Sequence, residues 1–161
     1  MTGPLDLEGA ALGRWLLLTG CWLEEPVSLA HTTAPLIRMT GCHLPGLDAE
    51  NLRIDADLAL DEGFTCQGQV KLARARIGGM LSLAGALLDN PGATALDAAR
   101  LTADHHVCLG HGFTARGEVR LAGARISGDL VLTAVRISNP AARPWPPTRW
   151  TQRRACSPRG W

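Results

Sequence analysis

Two stretches of the chain repeat each other at an offset of 49 residues. Gly63 to Pro91 reads GFTCQGQVKLARARIGGMLSLAGALLDNP, and Gly112 to Pro140 reads GFTARGEVRLAGARISGDLVLTAVRISNP. The correspondence runs upstream, with Leu47, Asp48 and Ala49 answering Leu96, Asp97 and Ala98, and Leu52 answering Leu101. A period of this size marks an array whose units bury their apolar faces only against one another. Inside it lies a shorter motif, two aliphatic residues separated by one variable residue: Leu58/Leu60, Val70/Leu72, Leu81/Leu83, Val107/Leu109, Val119/Leu121 and Leu130/Leu132. This is the alternation of a strand. A further aliphatic follows about five residues on, as Ile77 follows Leu72, Leu88 follows Leu83, Ile126 follows Leu121 and Ile137 follows Leu132, so the strands are short and the corners sharp.

Stacking equivalent strands makes Leu58, Leu81, Val107 and Leu130 successive rungs, with coils of 23 to 26 residues. The chain is therefore expected to be all-β, a right-handed parallel β-helix of about six coils, each rung about 4.8 Å above the last. Aliphatics form inward ladders, and Lys71, Arg120 and Val131 occupy outward slots. The N-terminal third reads as degenerate coils, from Leu7, Leu12, Leu17, Trp22 and Val27 at a five-residue step, then Leu36, Met39, Leu44 and Leu47. A helix over residues 5 to 18 stays open, because LEGAALGRWLLL is rich in helix formers. The solenoid is expected over residues 1–140. Residues 141–161 are rich in Pro, Arg and Trp, cannot continue a coil, and read as an extended, disordered tail.

Composition fits such an interior: apolar residues make up 46% of the chain, yet there is no Tyr and only two Phe, so small and aliphatic side chains must fill it. The net charge of +1 hides an acidic body joined to a basic tail carrying Arg143, Arg149, Arg153, Arg154 and Arg159. Neither half is charged enough to imply a nucleic-acid partner. The five cysteines Cys21, Cys42, Cys66, Cys108 and Cys156 form no CxxC pair, and the start of the chain does not read as a signal peptide, which points to a reducing cytoplasm. The longest apolar run, Trp15 to Leu18, is far short of the roughly 20 residues of a membrane span. Peripheral membrane contact stays open.

Searching for chemistry gives little. There is no GxGxxG, P-loop, haem-type CxxCH or GxSxG turn, so no catalytic residue and no cofactor is assigned. Gly78-Gly79 reads as a corner needing relaxed backbone angles. Metal-ligand types concentrate only at His105-His106-Val107-Cys108-Leu109-Gly110-His111. There His106 and Cys108 share an outward face and Asp129 falls beside His106 one coil later, making His106, Cys108 and Asp129 the metal candidates. The matching unit carries Ala56, Asp57, Ala59 and Glu62 at the slots of His105, His106, Cys108 and His111, so drift on a solvated face accounts for the cluster more plainly. His31 and Cys42-His43 read as core or corner packing. Trp15 and Trp22 either mark a contact surface or cover an end rung. Uncovered rungs favour end-to-end self-association.

The segments LAGARISGDLVL, GFTARGEVRLAGARI and LEEPVSLAHTTAPLIRMTGCHLPGLDAENLRI resemble the repeats of a group of high-GC actinobacterial proteins. These are relatives of pentapeptide-repeat solenoids and often carry the label "membrane-associated oxidoreductase". The resemblance spans roughly residues 5 to 140. It implies a quadrilateral coil and a non-catalytic scaffold or protein-interaction module. The label implies, as an alternative, an oxidoreductase or its accessory subunit at the membrane, though no motif for that activity maps onto a residue. Some pentapeptide-repeat rods imitate duplex DNA in width and acidity and bind topoisomerases, which gives a third reading. Those proteins are usually longer, so the chain resembles an internal or truncated piece. The tail has no counterpart in the pattern, and its bias resembles a GC-rich gene read out of frame.

Overall fold

A computed structural model describes residues 3–139. The expected tail at 141–161 lies outside the described residues. Within them the chain forms a right-handed parallel β-helix with strands and no helix. Its six coils each visit four faces. Face 1 stacks Leu5–Asp6, Val27–Ser28, Leu47–Asp48, Val70–Lys71 and the last residues of the long strand Leu87–Asp97, followed by the last residues of Thr114–Arg120. Face 2 stacks Thr33–Ala34, Arg53–Ile54, Arg76–Ile77, Thr102–Ala103 and Arg125–Ile126. Face 3 stacks Leu16–Thr19, Ile37–Thr40, Leu58–Ala59, Leu81–Ser82, Val107–Cys108 and Leu130–Val131. Face 4 stacks His43–Leu44, Thr65–Cys66, the starts of the two long strands, and Arg136–Ser138. No helix of the described residues is long and apolar enough to cross a membrane.

The register expected from the repeat is the register found: Leu58, Leu81, Val107 and Leu130 are consecutive partners on face 3. Coil length varies more than expected, from 20 residues between Val27 and Leu47 to 27 between Leu87 and Thr114. Most of the variation falls on one edge, where face 4 turns into face 1. Two residues separate Leu44 from Leu47 there, and seven separate Leu88 from Leu96. The surplus, Asn90 to Ala93, bulges outward and shifts the ladder register. From face 1 to face 2 the inward spacing is constant, as from Val70 to Ile77 and from Leu96 to Ala103.

Residues 5 to 18 are strand, bend and turn, not helix. Alternation prevails over helix propensity because Leu5 and Leu7, then Leu16 and Leu18, turn toward the core and pack against it. The phase differs from the expected five-residue step. Leu17 and Trp22 point outward, at 54% and 67% exposure, and Leu23 takes the inward place beside Trp22.

The interior holds one continuous apolar cluster in ladders. Large and small residues alternate where space demands it, with Ala86 lying between Phe64 and Phe113 on successive rungs, so neighbouring phenyl rings do not compete for one layer. Thr32 is fully buried and its hydroxyl donates to the Leu7 carbonyl at 2.7 Å. At the C-terminal end of the described rod the ladder opens: Leu130, Leu132 and Ile137 are 40%, 55% and 51% exposed.

Two kinds of corner let the chain turn. Between faces 1 and 2 one residue per coil adopts a left-handed backbone, namely Gly9, His31, Asn51, Arg74, Arg100 and Gly123. Each of the first five sends its N–H to a carbonyl of the next coil, as Arg74 does to Ala99 at 2.9 Å. The corner at Gly78-Gly79 works otherwise, correcting the expectation of relaxed angles, since neither residue has positive φ. Glycine is needed there for lack of room: a Cβ on Gly78 would lie 2.4 Å from the Asp55 carbonyl oxygen, and one on Gly79 would lie 2.7 Å from that of Ala56.

Candidate functional site

The 49-residue repeat superposes Asp57 on His106 and Met80 on Asp129, and the structure gives both pairs one task. Met80 N–H donates to Asp57 Oδ1 at 2.7 Å, and Asp129 N–H donates to His106 Nδ1 at 2.9 Å. Each side chain thereby satisfies a backbone donor of the following coil where the tight corner offers no carbonyl. A backbone N–H can only donate, so Nδ1 is the acceptor in this contact. Asp129 also brings its carboxylate within 3.7 Å of Nδ1. His106 and Asp129 thus meet. Cys108, half-buried on face 3 between Ser82 and Val131, belongs to the next stretch of the same coil. Among the described residues no group of three or more His, Cys, Asp and Glu side chains is placed to hold a metal ion.

Stacking brings together cysteines that lie far apart in sequence. Trp22 and His43 form a bridge between the first two coils, which sets Cys21 and Cys42 one above the other. Burial pushes the Cys42 thiol above its ordinary range, against the opposing pull of a backbone hydrogen bond at Cys21. Cys66, buried among apolar ladders, is pushed up to about 12 by the same loss of water. Both are free thiols held in the protonated form. Cys42 and His43 point to opposite sides, as adjacent strand residues must. His43 stacks on Trp22 with ring centroids 4.3 Å apart, and His31 sits exposed at a left-handed corner.

Face 2 carries the arrangement that linear reading missed. Its outward column runs Thr33, Arg53, Arg76, Thr102, Arg125 in direct register, with Arg53 and Arg76 immediate partners. The adjoining corner adds Arg74 and Arg100. Two neighbouring grooves share Arg53, Arg76 and Thr102: Arg74 and Arg100 complete the one, Arg125 with Asp55 and Asp104 the other. None of the five arginines forms an ion pair with a described residue, whereas Arg116 reaches Asp89 at 3.4 Å and Arg120 reaches Glu118 at 3.5 Å. The only local signal was Arg74-Ala75-Arg76. The remaining members are 20 to 26 residues apart and join them only once the register is known.

Comparison of the chain with protein-family models, with curated proteins and with solved structures finds no match.

Proposed function

We propose that the chain is a non-catalytic scaffold, a rigid rod whose outward columns present side chains at fixed spacing to a binding partner. One observation carries this reading: the interior is filled by a single apolar cluster, while the outward residues of successive coils stand in direct register. The face 1 column runs Asp6, Ser28, Asp48, Lys71, Asp97 and Arg120, and the face 2 column carries Arg53, Arg76 and Arg125. The repeat thus acts as a ruler whose marks can be changed without touching the ladders. End-to-end self-association belongs to the same reading, supported by the apolar edge of Leu130, Leu132 and Ile137.

The test joins stability to chemistry. Charge-removing substitutions at outward positions on all four faces are expected to leave circular dichroism and melting nearly unchanged. The purified protein is expected to show no flavin, haem or iron–sulfur absorbance and no turnover of electron acceptors. Stoichiometric cofactor with turnover would overturn the scaffold reading in favour of the oxidoreductase implied by the family resemblance. The reading as an acidic imitation of duplex DNA draws no support from face 2, where the column is basic.

A further inference from the structure

Resting on the reading of the rod as a binding scaffold, we propose that the arginine strip of face 2 binds a linear polyanion of the polyphosphate type, a single chain of phosphoryl groups lying along the rod axis.

The argument starts from charge. The described body holds more acids than bases, yet five of its bases, Arg53, Arg74, Arg76, Arg100 and Arg125, share one strip. Like charges directly opposite on paired strands repel. Arg53 and Arg76 are such a pair, and among the described residues no carboxylate forms an ion pair with either. A solvated face gains nothing from this order, but a bridging anion gains from every rung. From the rung of Arg53 to that of Arg125 is three steps, about 14 Å at the rung spacing of a sheet. Three of these four rungs place an arginine in the column, and the coil of Thr102 adds Arg100 from the adjoining corner.

The residue type narrows the ligand. Guanidinium presents parallel N–H donors that match two oxygens of one phosphate, which an ammonium cannot do. The strip contains no aromatic side chain: the described aromatics are Trp15, Trp22, Phe64 and Phe113, with both Phe buried and Trp22 against His43 on face 4. Bases of a single strand would therefore find no aromatic ring to stack on. Asp55 and Asp104 border the groove on the side of face 3, so a broad duplex would set its second strand of phosphates against carboxylates. A narrow, base-free chain of phosphates fits between these limits.

The experiment is a titration of the full chain with inorganic polyphosphate of defined length, followed by calorimetry at several salt concentrations. Saturable binding is expected, weakening as salt rises. Arg53→Gln, Arg76→Gln and Arg125→Gln are each expected to weaken it about tenfold, since each removes one charge-assisted fork. Arg38→Gln, on face 3, is expected to leave it unchanged. Arg76→Lys keeps the charge and loses the fork, so an affinity between wild type and Arg76→Gln is expected, and it guards against a folding artefact in the glutamine series. Circular dichroism of each variant accompanies the titration. Absence of saturable binding, indifference to all three glutamine substitutions, or tighter binding of a single-stranded oligonucleotide of equal charge would overturn the proposal. None of these results bears on cofactor content or turnover, so the strip can fail while the scaffold reading stands.

Discussion

The N–H of Asp129 donates to Nδ1 of His106 at the position where, one repeat earlier, Asp57 accepts from Met80. An imidazole has taken over a carboxylate's task without disturbing the corner. His106→Asp is therefore expected to keep the melting temperature of the wild type. Asp57→Ala is expected to lose about 1.5 kcal/mol and His106→Ala less, because a charged acceptor makes the stronger bond. Thermal melts of the three proteins check this; equal losses for both alanine variants would contradict it.

Position along the ladder decides what a buried charge does. Leu83 is fully buried and Leu132 is 55% exposed, so the two are not equivalent despite their matching places in the repeat. Leu83→Asp is expected to unfold the rod, since an unpaired carboxylate in an apolar ladder costs several kcal/mol. Leu132→Asp is expected to leave the circular dichroism spectrum intact and to raise the monomer fraction in light scattering, by charging the apolar edge.

Glycines at the two corner types should respond differently. Gly78→Ala places a methyl group against the Asp55 carbonyl of the preceding coil and is expected to cost about 1 to 3 kcal/mol through overpacking. Gly9→Ala has open space around it but φ of +71, so only the left-handed backbone opposes it, at about 1 kcal/mol. Chemical denaturation of both variants separates steric from conformational cost.

Cys66 gives a pH test with a definite sign. Burial raises its thiol from 9.0 to about 12, so the folded state holds a proton that the unfolded state releases. Stability is fully present below pH 9 and falls as pH climbs toward 12, with a slope of about 1.4 kcal/mol per pH unit from this group. Cys66→Ala should flatten that decline relative to wild type in alkaline denaturation curves, and Cys66 should resist alkylation until the protein unfolds.

How much of this was legible depended on whether a feature lives within a coil or between coils. The ladder pairs Leu81/Leu83 and Val107/Leu109 were legible because alternation within one strand encodes their direction. The phase of the first coils was not legible, because the five-residue step through Leu17 and Trp22 does not say which residues face inward, and both face outward. The arginine strip was invisible because coils of unequal length hide the alignment of Arg53, Arg76 and Arg125. The roles of Asp57 and His106 were hidden too: two dissimilar residue types look like drift until their common backbone donor is seen.

One edge of the rod absorbs most of the difference in coil length. At Asn90 to Ala93 the chain leaves the wall and returns with the inward ladders in step on both sides, while the Gly92 N–H donates to Asn139 Oδ1 at 2.8 Å and ties the excursion to the next coil but one. The wall can therefore be lengthened at this point as a seam is let out, without re-cutting the panels it joins. A foreign peptide spliced between Pro91 and Ala93 would be displayed beside the arginine-bearing rod as a side branch, at a height fixed by the rung that carries it.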